Sequence, residues 1–236
     1  MKANLDPIQA AKQNAALEAV KHVQDGFVVG LGSGSTAAFA IEALGERIKK
    51  ENLHIMGIPT SYQAFLLAVE CGIPITTLDE HPEIDVTIDG ADQVTPELNL
   101  IKGMGAAMVR EKIVAAATKL NVIIADQNKK VRLLGENNQV VPIEVLPFAI
   151  SLVKQKIAVL GGEPTVREGK GKLGPVITDN GNAILDTYFG EIKDPADLAV
   201  KVKMIPGVVE TGFFIGLTDI VYVGSNDSVE KIEKPR

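Results

Sequence analysis

Short apolar runs alternate with segments of helical periodicity through the first half of the chain, and this alternation limits the possible fold most. Asp6 and Pro7 are typical of a helix start, and the first helix is predicted to reach about Val23. The elements predicted next are strand 27–31, helix 36–50, strand 54–59, helix 61–71, strand 74–78, strand 84–89, helix 106–119 and strand 121–126. This order predicts an α/β fold, with a doubly wound, mostly parallel sheet covered on both faces.

The pattern changes after Asp126, where the polar and irregular segment 127–139 predicts a domain boundary. The Asn180-Gly181 pair lies between alternating residues and predicts a hairpin with a type I′ turn. The other elements predicted here are a strand at 141–147, a helix ending near Leu160, and a short helix from Pro195 capped by Asp194.

The β-α-β-β-α order of this region predicts a small α+β domain of the ferredoxin-like kind at 130–206. We expect it to serve in oligomerisation. Residues 1–129 and 207–236 are predicted to form a Rossmann-like catalytic domain, in which the runs 208–214 and 220–224 return to the main sheet.

The totals exclude several classes of function. A net charge of −6 disfavours nucleic acid as a partner, and no apolar run is long enough to span a bilayer. A single cysteine, Cys71, excludes an internal disulfide framework, and the wide spacing of the three histidines disfavours a histidine metal centre. With no apolar signal core near Met1, the expected compartment is the cytoplasm.

The segment Gly30 to Thr36, GLGSGST, joins a predicted strand to a predicted helix. Its backbone N–H groups can approach an anion, the helix N-terminus adds positive potential, and its hydroxyls can donate hydrogen bonds. A dinucleotide site is disfavoured because Ser35 replaces the third glycine of G-x-G-x-x-G and no acidic residue ends the second strand. There is also no Walker lysine. We predict a small phosphate or hydroxyl-rich ligand at Ser33, Gly34, Ser35 and Thr36; a tight turn with a serine cap is the alternative.

Two aspartates, Asp89 and Asp92, flank Gly90 and Ala91 at the end of an apolar strand. Doubly wound sheets bind their ligands at the carboxyl ends of such strands. Carboxylates at this spacing could share Mg²⁺, accept hydrogen bonds from sugar hydroxyls or transfer protons. The alternative is a solvated turn with Asx caps, which is how we interpret the earlier Asp85.

Two lysines lie where an anion could be bound. Lys102 precedes the small-residue segment Gly103, Met104 and Gly105, just before a predicted helix. Lys129 follows the predicted strand 121–126 and could contact a phosphate. Simple surface charge is the alternative for both.

Glu111 is placed on an apolar helix face. Its neighbours at i−4, i−3, i+3 and i+4 are all apolar: Ala107, Met108, Val114 and Ala115. Desolvation raises the pKa of a carboxylate towards the range that suits a general base. The alternative is a glutamate at the edge of the stripe, reaching water or a distant cation.

Several motifs in order resemble the type A ribose-5-phosphate isomerase family, over essentially the whole chain. They are GLGSGST, PTSYQA, TIDGAD, LNLIKGMGAA, REKIV, VPIEVLP, VITDNGN and IPGVVETGFF. The resemblance implies a Rossmann-like domain with a small α+β domain, assembled into homodimers or homotetramers. It also implies interconversion of ribose 5-phosphate and ribulose 5-phosphate in the pentose phosphate pathway, with no organic cofactor and no required metal.

The resemblance further implies roles for individual residues. Glu111 moves the proton between C1 and C2 through a cis-enediolate, and Asp89 assists opening of the furanose ring. Asp92 and Lys102 hold the sugar oxygens. The substrate site is lined by Ser33 to Thr36 and by the backbone of Lys102 to Gly105, and Lys129 matches a substrate-binding lysine.

Three positions depart from the family pattern. Gln93 stands where glutamate is usual, Met104 where glycine or arginine is usual, and Ser33 where threonine is common. None of them is an expected proton carrier. The rival interpretations are a sugar-phosphate sensor domain, an NAD(P)-dependent oxidoreductase and a Mg²⁺-dependent isomerase.

Overall fold

The computed structural model describes residues 6–234. These residues form two compact units. The larger unit comprises 6–91, Arg110–Lys130 and 216–234, and the smaller unit comprises Asp92–Val109 and Val131–Ile215. The segments 92–109 and 207–215, which the sequence analysis assigned to the Rossmann-like domain, lie in the smaller unit.

The helices are α1 (Pro7–Ala19), α2 (Ser35–Glu51), α3 (Tyr62–Cys71), α4 (Met108–Ala116), α5 (Ile150–Val159) and α6 (Pro195–Lys203). The strands are β1 (Val28–Leu31), β2 (Met56–Pro59), β3 (Ile84–Gly90), β4 (Gln93–Val94), β5 (Leu100–Ile101), β6 (Thr118–Asp126), β7 (Val141–Val145), β8 (Glu163–Val166), β9 (Ala183–Tyr188), β10 (Val208–Thr211), β11 (Phe213–Phe214), β12 (Ile220–Gly224) and β13 (Val229–Glu233).

The larger unit is built on a six-stranded sheet of order β13-β12-β6-β3-β1-β2. All neighbouring strands are parallel except β13, which is antiparallel to β12. Successive side chains of a strand point to opposite faces. Val29 accordingly packs in a cluster with α1, α2 and α3, whereas Val28 packs with Val114 of α4. The prediction of a mostly parallel sheet covered on both faces is confirmed.

The smaller unit contains a four-stranded antiparallel sheet of order β10-β7-β9-β8. Its elements follow one another as β7-α5-β8-β9-α6-β10, a ferredoxin-like arrangement. The sequence analysis predicted the first five of these elements but placed the run of the sixth, β10, in the main sheet. A second sheet of this unit, β11-β5-β4, has two residues in each strand. Asp194 caps α6 as predicted, since its side chain accepts the N–H of Asp197.

Three element predictions were wrong. Residues 74–78 form no strand; Ile75 makes only an isolated bridge to Gly57. The helix predicted at 106–119 begins later because Ala106 has φ +60°, and it ends earlier because Thr118 pairs with Ile84 in the sheet. The run 208–214 forms β10 and β11 of the smaller unit, and only 220–224 joins the main sheet.

The turn at Asn180-Gly181 also differs from the prediction. A type I′ turn requires positive φ at both central residues. Gly181 has φ +81°, but Asn180 is not among the residues of positive φ. The Thr178 N–H donates to the Asn182 carbonyl at 2.8 Å, so three residues rather than two form the loop, and glycine closes it.

Candidate active site

In the larger unit, the loop after β1 is packed directly against Asp89 at the end of β3. The Gly32 N–H donates to the Ile88 carbonyl at 3.0 Å. A Cβ atom at Gly32 would lie 2.5 Å from the Asp89 Cα, so only glycine permits this approach. The Asp89 side chain is 2% exposed, and its Oδ1 accepts the N–H groups of Ser33 at 3.0 Å and Gly90 at 2.7 Å. The carboxylate therefore has a fixed orientation; Ala91, two residues on, is half-buried.

The Ser33 hydroxyl belongs to a small network of hydroxyl groups. It lies 2.7 Å from the Thr60 Oγ1 and donates to the Ser61 Oγ at 2.6 Å. Gly34 adopts φ +93°, and its N–H donates to the Gln63 side chain at 2.8 Å. The sequence analysis missed these partners, which come from the loop after β2 and the start of α3.

The first turn of α2 presents a helix N-terminus at Ser35 and Thr36. The first N–H groups of a helix lack partners within the helix, and its dipole favours an anion there. The Lys12 ammonium of α1 donates to the Ser35 Oγ at 3.0 Å and adds a positive charge. Lys12 was missed because nothing in the sequence spacing relates it to Ser35.

Glu111, in α4, is 5% exposed. Its four helix neighbours named in the sequence analysis are buried too, at 7% exposure or less. The prediction of a desolvated position is therefore confirmed. Lys129 ends a short 3-10 helix directly after β6 and is half-buried.

Asp85, at the other end of β3, makes structural contacts. It accepts the Val28 N–H at 2.9 Å and the Lys119 ammonium at 3.1 Å. Burial, the largest influence, raises the pKa of this carboxyl. The hydrogen bond from Val28 and the nearby Lys119 together outweigh it and hold the pKa below the usual aspartate range.

In the smaller unit, Asp92 and the loop 102–105 are joined by hydrogen bonds. The Asp92 carboxylate accepts the Met104 N–H at 3.1 Å, and its own N–H donates to the Ile101 carbonyl at 2.8 Å. Gly103 has φ +107°, a conformation that favours glycine. Met104 and Gly105 are exposed, so the tip of this loop is open to a ligand.

Lys102 is 3% exposed, which is unusual for a lysine. Its ammonium lies 5.3 Å from the centroid of the Phe214 ring, within the range of a cation–π interaction. Its backbone N–H donates to the Gly212 carbonyl at 2.9 Å. The surface-charge interpretation of Lys102 is wrong, because this side chain is held inside the protein.

Arg167, which follows β8, was not recognised from the sequence. Its Nη1 donates to the carbonyl oxygens of Gly103 at 3.0 Å and Met104 at 2.9 Å. Its Nε donates to Asp186 of β9 at 2.8 Å, and its Nη2 pairs with the second oxygen of the same carboxylate. One guanidinium thus holds two consecutive carbonyls of the loop.

Gln93, one of the departures, is buried and binds backbone with both ends of its amide. Its Nε2 donates to the Glu136 carbonyl at 2.7 Å, and its Oε1 accepts the Gly135 N–H at 2.8 Å. Its role is therefore to hold the backbone of Gly135 and Glu136 in place.

Residues 6–234 contain no group of three or more His, Cys, Asp or Glu side chains that could hold a metal ion. Within the same residues, no helix is long and apolar enough to cross a membrane.

The family model for ribose 5-phosphate isomerase A, also called phosphoriboisomerase A, matches residues 56–228. The chain belongs to the ribose 5-phosphate isomerase A family. This is a family of aldose–ketose isomerases, and the resemblance stated from the sequence is confirmed.

Relatives of this family match over nearly the whole chain. Ribose-5-phosphate isomerase A of Methanosarcina acetivorans is 50% identical over 221 residues, which are 94% of this chain and 93% of that protein. The structure of ribose 5-phosphate isomerase A from Methanocaldococcus jannaschii matches with a TM-score of 0.91 and 45% identity, covering 95% of this chain and 98% of that one. A D-ribose-5-phosphate isomerase in complex with phospho-erythronic acid matches with a TM-score of 0.93 and 45% identity, covering 97% of this chain and all 100% of that one. The ribose 5-phosphate isomerase A fold thus accounts for both units.

Proposed function

We propose that this chain interconverts D-ribose 5-phosphate and D-ribulose 5-phosphate in the pentose phosphate pathway, with Glu111 moving the proton between C1 and C2 through a cis-enediolate. The observation that carries the proposal is the burial of the Glu111 carboxylate in a chain of this family. A carboxylate removed from water takes a proton more readily, and one such group is enough because it can return the proton to the adjacent carbon.

The proposed role of Asp89 is to assist ring opening. The fixed orientation of its carboxylate supports this role, since the two N–H donors hold one oxygen in place. A general acid or base must be held within hydrogen-bond reach of the proton that it transfers.

Asp92 and Lys102 are proposed to hold the sugar oxygens, and Lys102 to balance the negative charge of the enediolate. The burial of Lys102 supports this, because a preorganised cation in a water-poor site stabilises a developing oxyanion. Losing one such donor typically raises the barrier by roughly 3–4 kcal/mol.

The remaining contacts to the substrate are proposed along three segments and at Lys129. Ser33, Gly34, Ser35 and Thr36 bind an anionic or hydroxyl-rich part of the sugar phosphate, supported by the helix N-terminus and by Lys12. The other proposed substrate contacts are Gly90 and Ala91, the loop Gly103 to Gly105, and Lys129.

The test of the base is Glu111→Gln, a change that keeps the shape of the side chain. We expect turnover of ribose 5-phosphate to fall by at least about a hundredfold, because general acid–base catalysis contributes ~10²–10⁴-fold and no second base replaces it. The affinity for phospho-erythronic acid, measured by calorimetry, should stay within about threefold. Glu70→Gln, at an exposed glutamate of α3, is the matched control and should behave as the wild type. Near-normal turnover by the Glu111 variant would refute this assignment.

The same assay separates the rival functions. We propose that no organic cofactor and no metal is required, so activity should survive EDTA; its loss, with recovery on adding Mg²⁺, would favour the metal-dependent isomerase. A protein that binds ribose 5-phosphate without forming ribulose 5-phosphate would favour the sensor domain. Turnover that depends on NAD(P) would favour the oxidoreductase.

We also propose that the chain works in the cytoplasm as a homodimer or homotetramer, with the predicted small domain taking part in assembly. Apolar side chains exposed beside and on α5 and α6 support this. They are Leu146, Phe148, Leu152, Val200 and Met204, here named the helix patch.

A further inference from the structure

The loop 102–105 of the smaller unit is held from one side by a single side chain. The Arg167 guanidinium donates to the carbonyl oxygens of both Gly103 and Met104. The same guanidinium forms a two-point pair with Asp186, so its plane cannot rotate freely. Arg167 and Asp186 are both largely shielded, with side-chain exposures of 11% and 21%.

Because a peptide group is planar, a contact that fixes its C=O also fixes the direction of its N–H on the opposite edge of the loop. In a trans peptide the C=O and the following N–H point in opposite directions. The Gly103 carbonyl faces Arg167, and the Met104 N–H of the same peptide donates to Asp92. That peptide is therefore fixed at both ends.

The next peptide is fixed at its carbonyl end only. The Met104 carbonyl faces Arg167 at 2.9 Å, so the Gly105 N–H is turned away from the guanidinium. Gly105 is exposed and offers no side chain that would obstruct an approaching ligand. The Met104 side chain also lies beside Arg167, with 3.8 Å between its sulfur and Nη2.

We propose that Arg167, held by Asp186, is a positioning residue that sets the loop 102–105 so that the Gly105 N–H is aimed at the sugar phosphate. This inference rests on the proposed function, since it names a determinant of substrate affinity for the same reaction. Arg167 itself contacts no substrate; it acts through two carbonyl groups.

The substitution Arg167→Lys tests this proposal, because it keeps the positive charge but removes the planar guanidinium with its several N–H donors. An ammonium cannot pair with both Asp186 oxygens and hold two carbonyls in the arrangement that a guanidinium allows. For Arg167→Lys we expect the KM for ribose 5-phosphate and the Kd for phospho-erythronic acid to rise together, by about tenfold to a hundredfold, since the loss of one hydrogen bond to a charged ligand weakens binding by about this factor. The kcat should change by less than about threefold, because the contact is made in ground and transition states alike.

Two further variants separate positioning from support of the fold. In Arg167→Ala, millimolar guanidinium added to the assay should restore much of the lost affinity, whereas the same concentration of sodium should not. Asp186→Asn should raise KM in the same direction but less, since it frees the guanidinium without removing it. Arg132→Ala, at an arginine that is 87% exposed, is the control and should leave KM and Kd unchanged.

The possible outcomes distinguish failure of the Arg167 inference from failure of the proposed function. A lower melting temperature for Arg167→Lys with wild-type KM and Kd would overturn the inference, because the pair would then serve the fold alone. A fall in kcat with KM and Kd unchanged would overturn it as well. Wild-type protein that fails to turn over ribose 5-phosphate would refute the proposed function instead, while the calorimetric Kd would still test Arg167.

Discussion

Buried charged side chains have different roles at different positions of this chain. Burial of a charge costs free energy unless partners offset it. Glu144 of β7 is fully buried, and one of its oxygens accepts hydrogen bonds from Thr178, Asn180 and Asn182 at 2.8–3.2 Å. These donors are neutral groups of the 178–182 turn, so this buried acid organises a turn. Glu111 and Lys102 are the residues for which the family resemblance implies a proton carrier and a sugar-binding lysine, and we therefore propose a chemical role for them.

Gln93 shows how one amide can support a segment of backbone. Replacing it with glutamate, the residue usual in the family, removes the N–H that donates to the Glu136 carbonyl and buries a charge. We expect Gln93→Glu to lower the free energy of unfolding by about 2–3 kcal/mol, the cost of a buried polar group left without its partner. Urea denaturation at neutral pH measures the change. The matched control is Gln63→Glu, at an exposed position of α3, and an equal loss of stability there would contradict this explanation.

The sequence could predict the role of a residue when that role depends on its neighbours along the chain. It could not predict a role that depends on contacts between residues far apart in sequence. The apolar neighbours of Glu111 are fixed by helix periodicity, so its burial could be derived from spacing. Arg167, by contrast, lies more than sixty positions from the loop that it holds, with |i−j| of 63 and 64 for its two carbonyl contacts. No periodicity relates residues at such separations, and only the pairing of β8 with β9 brings Asp186 beside Arg167.

At the scale of elements, strand pairing decided where the predictions failed. The helix signal of 106–119 was overridden at its end because Thr118 enters a nine-residue strand, β6, that pairs with β3. The strands β4, β5 and β11 have two residues each and show no alternation that a sequence could reveal. Longer strands and capped helices were predicted well, since their signals repeat over several residues.

Asp85 ties β3 to its neighbours and should make stability depend on pH. It accepts an N–H from β1 and an ammonium from β6, and its pKa is below the usual aspartate value. A lowered folded-state pKa means that the contribution is present above the unfolded value of ~3.9 and is lost as the pH falls through the folded value.

Asp85→Asn should therefore cost about 1 kcal/mol at neutral pH, and the difference from the wild type should shrink as the pH falls below about 4. Urea denaturation at several pH values measures it. Asp79→Asn, at an exposed position, serves as the control. A difference from the wild type that stays constant with pH would show that the Asp85 charge does not contribute.

At the scale of the whole molecule, the helix patch provides the clearest indication of assembly. Phe148 is fully exposed and Met204 is 76% exposed, and side chains of this size are depleted from surfaces that face only water. We expect Phe148→Ser combined with Met204→Ser to shift the protein to a smaller species in sedimentation velocity at micromolar concentration. Leu173→Ser, at an equally exposed residue outside the patch, should leave the species unchanged. Unchanged sedimentation of the double variant would exclude the helix patch from the interface.

The position of β6 in the main sheet has a consequence for the order in which the chain is made. This strand needs β3 on one side and β12 on the other, yet the segment 131–215 is synthesised between β6 and β12. A growing chain therefore presents one unpaired edge of β6, along the apolar run Val122 to Ala125, until residues 220–224 leave the ribosome. Open strand edges of this kind recruit other strands. The ferredoxin-like sheet, whose strands all lie between Val141 and Thr211, can form in that interval, which leaves the β6 edge as the last place in the main sheet to gain its partner.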